Sequence, residues 1–416
     1  MASSYELLQH GMAPSGGSDG RWAARAGATA PFCTRLVVRR PTDAGGFSGT
    51  VLVEWLNQSS GFDADPDWAY LHEEILRAGH AYAGVSAQAL GIMGGQSILG
   101  FPGPFPGLRA AGPERYGALE HPGDKFAFDI FGQVGRSLRG TAVGTVPVLG
   151  GLAPERVLAV GESQSAFFLN SFINAVQPLS GVFDGFFVHS RGAGAAPLTG
   201  EGLDPEVEYS PGVRIRDDTA VPVMVVEAEG DIVGRLQFWL ARQADSDRYR
   251  LWEIAGTAHA DAYLLGDAAA LIGCDWPVNS GPHRFVAQAA LHALDAWVRD
   301  GTPPPRADRI VLASTDPPAI SRDAHGIALG GVRTPAVDVP VAVHSGEAPS
   351  GADGLGFLVG ATTPLAPEVL RRLYGDKAGY LGAFTASLDK AIAAGFLLPA
   401  HRPQLLADAE AAKFSP

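Results

Sequence analysis

Residues 157–166 read Val157-Leu158-Ala159-Val160-Gly161-Glu162-Ser163-Gln164-Ser165-Ala166. A short β-branched run passes through one glycine and a serine into an apolar helical pattern that continues with Phe167, Phe168 and Leu169. A turn this tight from strand to helix needs small flanking residues, and it lifts its central side chain clear of the sheet. Gly161 meets the first requirement; Ser165 stands where a second glycine is usual, so the pattern is G-x-S-x-S. Alone, the five residues fit equally an ordinary strand-to-helix turn with a capping serine. The surrounding chain decides between the two.

Working outward, β-branched and aromatic runs recur at 36–39, 51–55, 81–85, 157–160, 183–188, 223–227 and 249–254, with helical patterns between them. That alternation predicts an α/β fold with a mostly parallel sheet covered on both faces. The helix after the 51–57 segment has Asp65 as its cap, Pro66 in its first turn, Trp68, Leu71 and Ile75 on one face, and Gly79 as its stop. A second helix is expected over about 125–138 and a third from Gln164. Two stretches rich in Gly and Pro, 91–123 and 192–218, read as insertions forming a lid or rim, since long irregular segments inside a domain are usually functional. Residues 1–300 are then the core. Residues 301–416 form a C-terminal appendage packed on it as part of one structural unit, with a Pro-rich join at 302–306 and an extended segment near 337–343. A helical stripe of Leu381, Phe384, Leu388 and Ile392, ended by Gly395, completes it.

Composition removes several classes of function. The 416 residues carry 31 Lys+Arg against 44 Asp+Glu, a net charge of −13, so no positive surplus exists to neutralise phosphates or an anionic membrane. Hydrophobic residues at 46% and charged residues at 18% supply a core rather than a disordered chain. Cys33 and Cys274 offer no disulfide framework and no paired spacing for zinc, and they read as two buried thiols. No apolar stretch reaches the roughly 18 residues a membrane span requires. The first twenty residues hold no Lys or Arg, unlike a signal peptide, so a cytoplasmic location is the expectation.

A serine hydroxyl needs an adjacent base, usually a histidine held in the right tautomer by a carboxylate. On a sheet of this kind the partners follow the serine in the order acid, then base, each after a later strand. The 223–227 run leads into Ala228-Glu229-Gly230-Asp231, and the 249–254 run into Ala255-Gly256-Thr257-Ala258-His259. Of eleven histidines, His259 is preferred as base. His189 is its main competitor, but it precedes the acids in the chain; His10, His72, His80, His292 and His401 have ordinary surface or core explanations. Asp231 is chosen as the acid, with Glu229 the alternative; Asp261 suits a helix cap. The oxyanion of acyl transfer needs backbone donors, assigned to the amides of Gln164 and of Gln58 in the Asn57–Gly61 loop. Asp63, Asp65 and Asp67 alternate as in a calcium loop but lack its glycine, and neither a dinucleotide fingerprint nor a zinc spacing is present. No cofactor or metal is expected.

Together with Gly161–Ala166, the stretches 49–57 (GTVLVEWLN), 67–88 (DWAYLHEEILRAGHAYAGVSAQ), 255–261 (AGTAHAD) and 330–342 (GGVRTPAVDVPVA) resemble the α/β-hydrolase superfamily, and within it a bacterial group described as an alpha/beta hydrolase domain. The resemblance spans nearly the whole chain. It implies a serine hydrolase with Ser163 as nucleophile and His259 as base, and the GES tripeptide is similar to that of carboxylesterases. Phe101, Phe105 and the Phe167-Phe168 pair suggest an uncharged, moderately hydrophobic ester as substrate. An acyltransferase or thioesterase would share these residues; a lyase or a non-catalytic binding protein would reuse the fold. The sequence leaves a homo-oligomer open.

Overall fold

The computed structural model describes residues 1–8, 17–140, 147–200, 212–350 and 354–414. The seven apolar runs become the seven strands of one sheet: β1 (Leu36–Arg39), β2 (Thr50–Trp55), β3 (Ala81–Val85), β4 (Arg156–Glu162), β5 (Gly185–His189), β6 (Val223–Ala228) and β7 (Tyr249–Ile254), in the order β1-β3-β2-β4-β5-β6-β7. β2 runs parallel to β3 and β4, and β4 parallel to β5, while β1 lies antiparallel on the edge beside β3. Every residue of β2, β3, β5, β6 and β7 is buried. Strands covered on both faces are largely apolar, interrupted here by the buried Glu54, Glu227, Arg250 and Glu253, and each fully buried Val, Leu or Ile contributes about 1.5–3 kcal/mol.

The chain divides into two compact units, one of Met1–Met224, Phe238–Tyr249 and Leu294–Thr302, the other of Val225–Gln237, Arg250–Ala293 and Pro303–Pro416. In the first, α1 (Pro66–Arg77) buries Tyr70, Leu71 and Ile75, with Trp68 half-buried beneath the Arg39 guanidinium, 4.2 Å from the ring centroid. Its cap differs from expectation. Asp65 makes no side-chain cap and instead pairs with Arg39 at 3.1 Å. Glu54 of β2 accepts the amides of Asp67 and Trp68, each at 3.0 Å, and the Tyr82 hydroxyl at 2.6 Å. A carboxylate fixed in the sheet supplies the cap that a local aspartate normally would. Burial, reinforced by the neighbouring Asp67, holds the Glu54 carboxyl well above the usual carboxylate range.

α2 (Ala127–Leu138) buries Phe128 and Phe131 against Trp55, and α3 (Gln164–Ser171) adds Phe168, whose ring lies 5.0 Å from that of Trp55. Phe168 is therefore core rather than a substrate wall. The stretch 91–123 is not wholly irregular: short helices at Ala89–Met93, Leu108–Ala111 and Pro113–Tyr116 occupy it, each too brief for a helical period to register in the sequence. Residues 201–211 of the second insertion, and His10, lie outside the described residues. An antiparallel hairpin of Ala2–Leu7 and Ala24–Ala30 joins the unit through Ala2, which packs with Phe126 and Ile130. The cysteines correct the expectation of buried thiols. Cys33 is exposed, on a segment whose backbone bridges antiparallel to Glu120, and Cys274 is half-buried.

In the second unit the C-terminal segment continues from β7, where Val332 pairs in parallel with Ile254 and Trp252 donates to the Pro305 carbonyl at 2.8 Å. The 337–343 region is not simply extended. Thr334 and Pro335 start a helical turn, Pro335–Asp338, and the strand Ala342–Ser345 follows, antiparallel to Ala361–Pro364. α4 (Lys377–Ala393) buries Tyr380, Phe384, Leu388 and Ala391, a stripe rotated from the expected one so that Leu381 and Ile392 are half-buried. Among the described residues no helix is long and apolar enough to cross a membrane.

Candidate functional site

Ser163 lies at the turn between β4 and α3 with φ 56° and ψ −121°, a left-handed conformation uncommon for a residue with a side chain. Holding such a residue costs of order 1–3 kcal/mol and persists only where the surroundings over-determine it. Here they do. The Ser163 amide donates to the His189 carbonyl at 2.9 Å, and the Ser163 carbonyl accepts from Ala166 at 2.9 Å as the first turn of α3 begins. Gly161 is required: a Cβ there would lie 2.9 Å from Leu169 Cδ1 and 3.2 Å from Ser165 Cβ. The helix thus returns so closely over the strand that Ser165 fits only because its partner position is glycine. Its own hydroxyl is buried without a hydrogen-bond partner.

The Asn57–Gly61 loop is tied to this turn. Asn57 Nδ2 donates to the Glu162 carbonyl at 3.0 Å, and Asn57 Oδ1 accepts the Ser59 amide at 2.8 Å. The Gln58 amide donates to Gln164 Oε1 at 3.2 Å. From there a chain of donors runs away from the turn: Gln164 Nε2 to Gln88 Oε1 at 2.8 Å, then Gln88 Nε2 to Asp124 Oδ2 at 3.1 Å. A backbone N–H at one end and a carboxylate at the other dictate the orientation of both amides. Asp63 accepts from Gln58 Nε2 at 2.7 Å and pairs with Arg35 at 2.8 Å. Phe62 and Phe105 pack against each other beside this loop with centroids 5.7 Å apart and planes tilted by 58°, and a Cβ on Gly61 would meet the Phe105 ring at 2.3 Å.

The acid and base candidates lie on loops of the second unit. His259 Nδ1 is 2.7 Å from Asp231 Oδ1, both residues are buried, and Asp231 Oδ2 accepts the Ala228 amide at 2.6 Å. The carboxylate therefore has a backbone donor on one oxygen and the imidazole on the other. Glu229 is engaged elsewhere: its carboxylate accepts from Gly256 N at 2.7 Å, Gly346 N at 3.0 Å and Arg322 Nη2 at 2.8 Å. Asp261 caps the next helical turn by accepting the Leu264 amide at 2.9 Å.

His189, the competing histidine, also has an aspartate partner. Its Nδ1 lies 2.9 Å from Asp67 Oδ1, and the rings of Tyr70 and Phe187 flank it edge-on at 5.4 and 5.5 Å. Burial raises the Asp67 carboxyl above its ordinary range, against the opposing pull of the His189 contact. Sequence reading treated Asp67 only as one of three alternating aspartates. The structure separates them: Asp63 pairs with Arg35, Asp65 with Arg39 and Asp67 with His189. Among the described residues no group of three His, Cys, Asp or Glu side chains converges as a metal ion would need.

The sequence matches the family described as "Alpha/beta hydrolase domain" over residues 3–407, and the chain belongs to that family. Among solved structures it is similar to an α/β serine hydrolase without lid from Xanthomonas campestris, at 12% identity and TM-score 0.32, covering 62% of this chain and 87% of that one. It is also similar to an esterase from Rhizomucor miehei, at 12% identity and TM-score 0.34, over 64% and 80% of the two chains. An acetyl ester-xyloside bifunctional hydrolase from Caldicellulosiruptor lactoaceticus is similar at 12% identity and TM-score 0.31, over 54% and 78%. No curated protein matched.

Proposed function

We propose, from membership of the alpha/beta hydrolase domain family, that this protein is a serine hydrolase that cleaves carboxylic esters through an acyl-enzyme intermediate. The observation that carries the reading is the strained backbone of Ser163 at a strand-to-helix turn, φ 56° and ψ −121°, which a capping serine has no reason to adopt. In this reading Ser163 Oγ attacks the ester carbonyl carbon while its proton passes to His259 Nε2. The Nδ1–H of His259 donates to Asp231, which fixes the tautomer and stabilises the imidazolium as it forms. The Gln164 and Gln58 amides hold the oxyanion; losing one such donor typically costs about 2.7–4 kcal/mol of transition-state stabilisation. Protonated His259 then returns its proton to the departing alcohol oxygen, and water, deprotonated by the same imidazole, releases the acid.

Two features support the finer assignments. Asp231 rather than Glu229 is the acid because Glu229 already meets a guanidinium and two backbone amides. The Phe62–Phe105 pair beside the Gln58 loop favours an uncharged, moderately hydrophobic ester. The test is turnover of p-nitrophenyl esters of increasing acyl length by the parent and by Ser163→Ala. Saturable hydrolysis by the parent alone supports the reading; equal rates in both reject it. Adding alcohol and thiol acceptors to the same assay separates a hydrolase from an acyltransferase.

A further inference from the structure

Glu229 and Arg322 are buried and half-buried residues, 93 positions apart in the chain, that meet on the loops carrying His259 and Asp231. The Glu229 carboxylate joins three loops at once. It is two residues from Asp231 on the loop after β6, it accepts Gly256 N, three residues before His259, and it accepts Gly346 N from the C-terminal segment. The three loops touch at backbone distance. A Cβ on Gly346 would lie 2.2 Å from Gly230 N and 2.5 Å from the Thr257 carbonyl, and Gly230 N donates to that same carbonyl at 3.2 Å. Asn279 Nδ2 bridges the Gly256 and Ser345 carbonyls at 3.2 and 2.9 Å. Arg322 closes the arrangement, donating to Glu229, to Glu347 at 2.5 Å and to the Gly326 carbonyl at 3.1 Å.

We infer that Glu229 and Arg322 are positioning residues: together they fix the register between the Asp231 loop and the His259 loop, so that a cation delivered by the C-terminal segment holds the acid–base pair in place. The inference rests on the proposed roles of Asp231 and His259, and it turns Glu229 from a rival acid into the anchor of the one used. A carboxylate that bridges two loops through backbone amides transmits a displacement of either loop directly to the 2.7 Å Asp231–His259 contact. Misplacement of a catalytic group by about 1 Å can cost on the order of 100-fold in rate. The charged and titratable side chains on the elements packed here include Asp231, Asp261, Glu229, Arg235, Arg322, Glu347 and His344, the last on the strand that lies against Gly256.

The test uses the full-length protein and its Glu229→Gln, Arg322→Met and Arg322→Lys variants. The His259 imidazole titration is followed by NMR, its signal identified by loss in His259→Gln, alongside kcat, KM and thermal unfolding. A purely through-space influence moves the His259 pKa in opposite directions: removing the Glu229 charge lowers it and removing the Arg322 charge raises it. Positioning moves both down, because either change loosens the contact with Asp231. We expect both replacements to lower it by about half a pH unit. We also expect kcat to drop roughly 10- to 100-fold with KM nearly unchanged, and Arg322→Lys to recover most of the loss. A raised pKa in Arg322→Met, or parent-like titration and kcat in that variant, overturns the inference. If Glu229→Gln does not fold, the two Arg322 variants decide. Because the titration is read without turnover, a parent with no esterase activity rejects the proposed function while this question is still answered.

Discussion

Two buried histidine–aspartate pairs among the described residues, His189–Asp67 at 2.9 Å and His259–Asp231 at 2.7 Å, look alike at the level of a single distance. Their settings differ. His189 closes a strand, is flanked by aromatic edges, and meets a carboxylate on the first turn of α1 whose second oxygen is buried without a partner. His259 stands on a loop after β7 and meets a carboxylate whose second oxygen accepts a backbone amide. An aspartate with an unsatisfied oxygen in an apolar site is costly to keep ionised, whereas one with both oxygens engaged is held in a single orientation. The first pair thus ties a helix to a strand beneath Ser163; the second has the construction a proton-transfer pair needs.

The largest expected effect separates the pairs by function. Asp231→Asn should reduce kcat about 10⁴-fold in the folded protein, the loss typical when the orienting acid gives the wrong tautomer. Comparable losses from Asp67→Asn in folded protein would exchange the roles assigned here. Next in size is stability: breaking a buried pair from one side costs about 3–5 kcal/mol, so Asp67→Asn should lower the denaturation midpoint while the folded fraction keeps near-parent kcat.

A third effect concerns pH. Glu54 and Asp67 both have folded-state carboxyls raised above their unfolded values, chiefly by burial, so the folded state binds protons more tightly. Their contribution is present in full below the unfolded values and is lost as pH rises through the folded ones. The parent should therefore lose stability relative to Asp67→Asn as pH increases from about 4 towards neutrality, read as melting temperatures across a buffer series. A parallel pair of curves would remove Asp67 from that cluster.

The smallest effect is at Gln164. Its side-chain oxygen holds the Gln58 amide that the proposed mechanism assigns to the oxyanion. Gln164→Ala keeps the backbone donor and removes the occupant, so kcat/KM should rise by a few-fold, the worth of about one hydrogen bond. A fall would mean that the glutamine chain to Asp124 is needed to hold the loop.

The fold was legible because each sheet strand is a short, largely apolar run, and Ser163, Asp231 and His259 were nominated as site residues because each follows such a run. Contacts between distant residues were not legible. The Glu54 cap on α1, the pairing of Asp67 with His189 across 122 positions and the clamp of Arg322 on Glu229 depend on which side chains the sheet and loops bring together, and no local spacing encodes that. The stripe on α4 was misread by one position at each end because Tyr380 and Ala391 bury more fully than the larger-looking Leu381 and Ile392. Helices of four or five residues within 91–123 are too short to show a period.

The central claim is tested most directly by covalent labelling. Parent, Ser163→Ala and Asp231→Asn proteins are treated with a fluorophosphonate, and the adduct is located by intact mass and peptide mapping. The account predicts one adduct, on Ser163, formed rapidly in the parent, orders of magnitude more slowly in Asp231→Asn and not at all in Ser163→Ala. An adduct on another residue, or labelling of Ser163 at the same rate with and without Asp231, would contradict it.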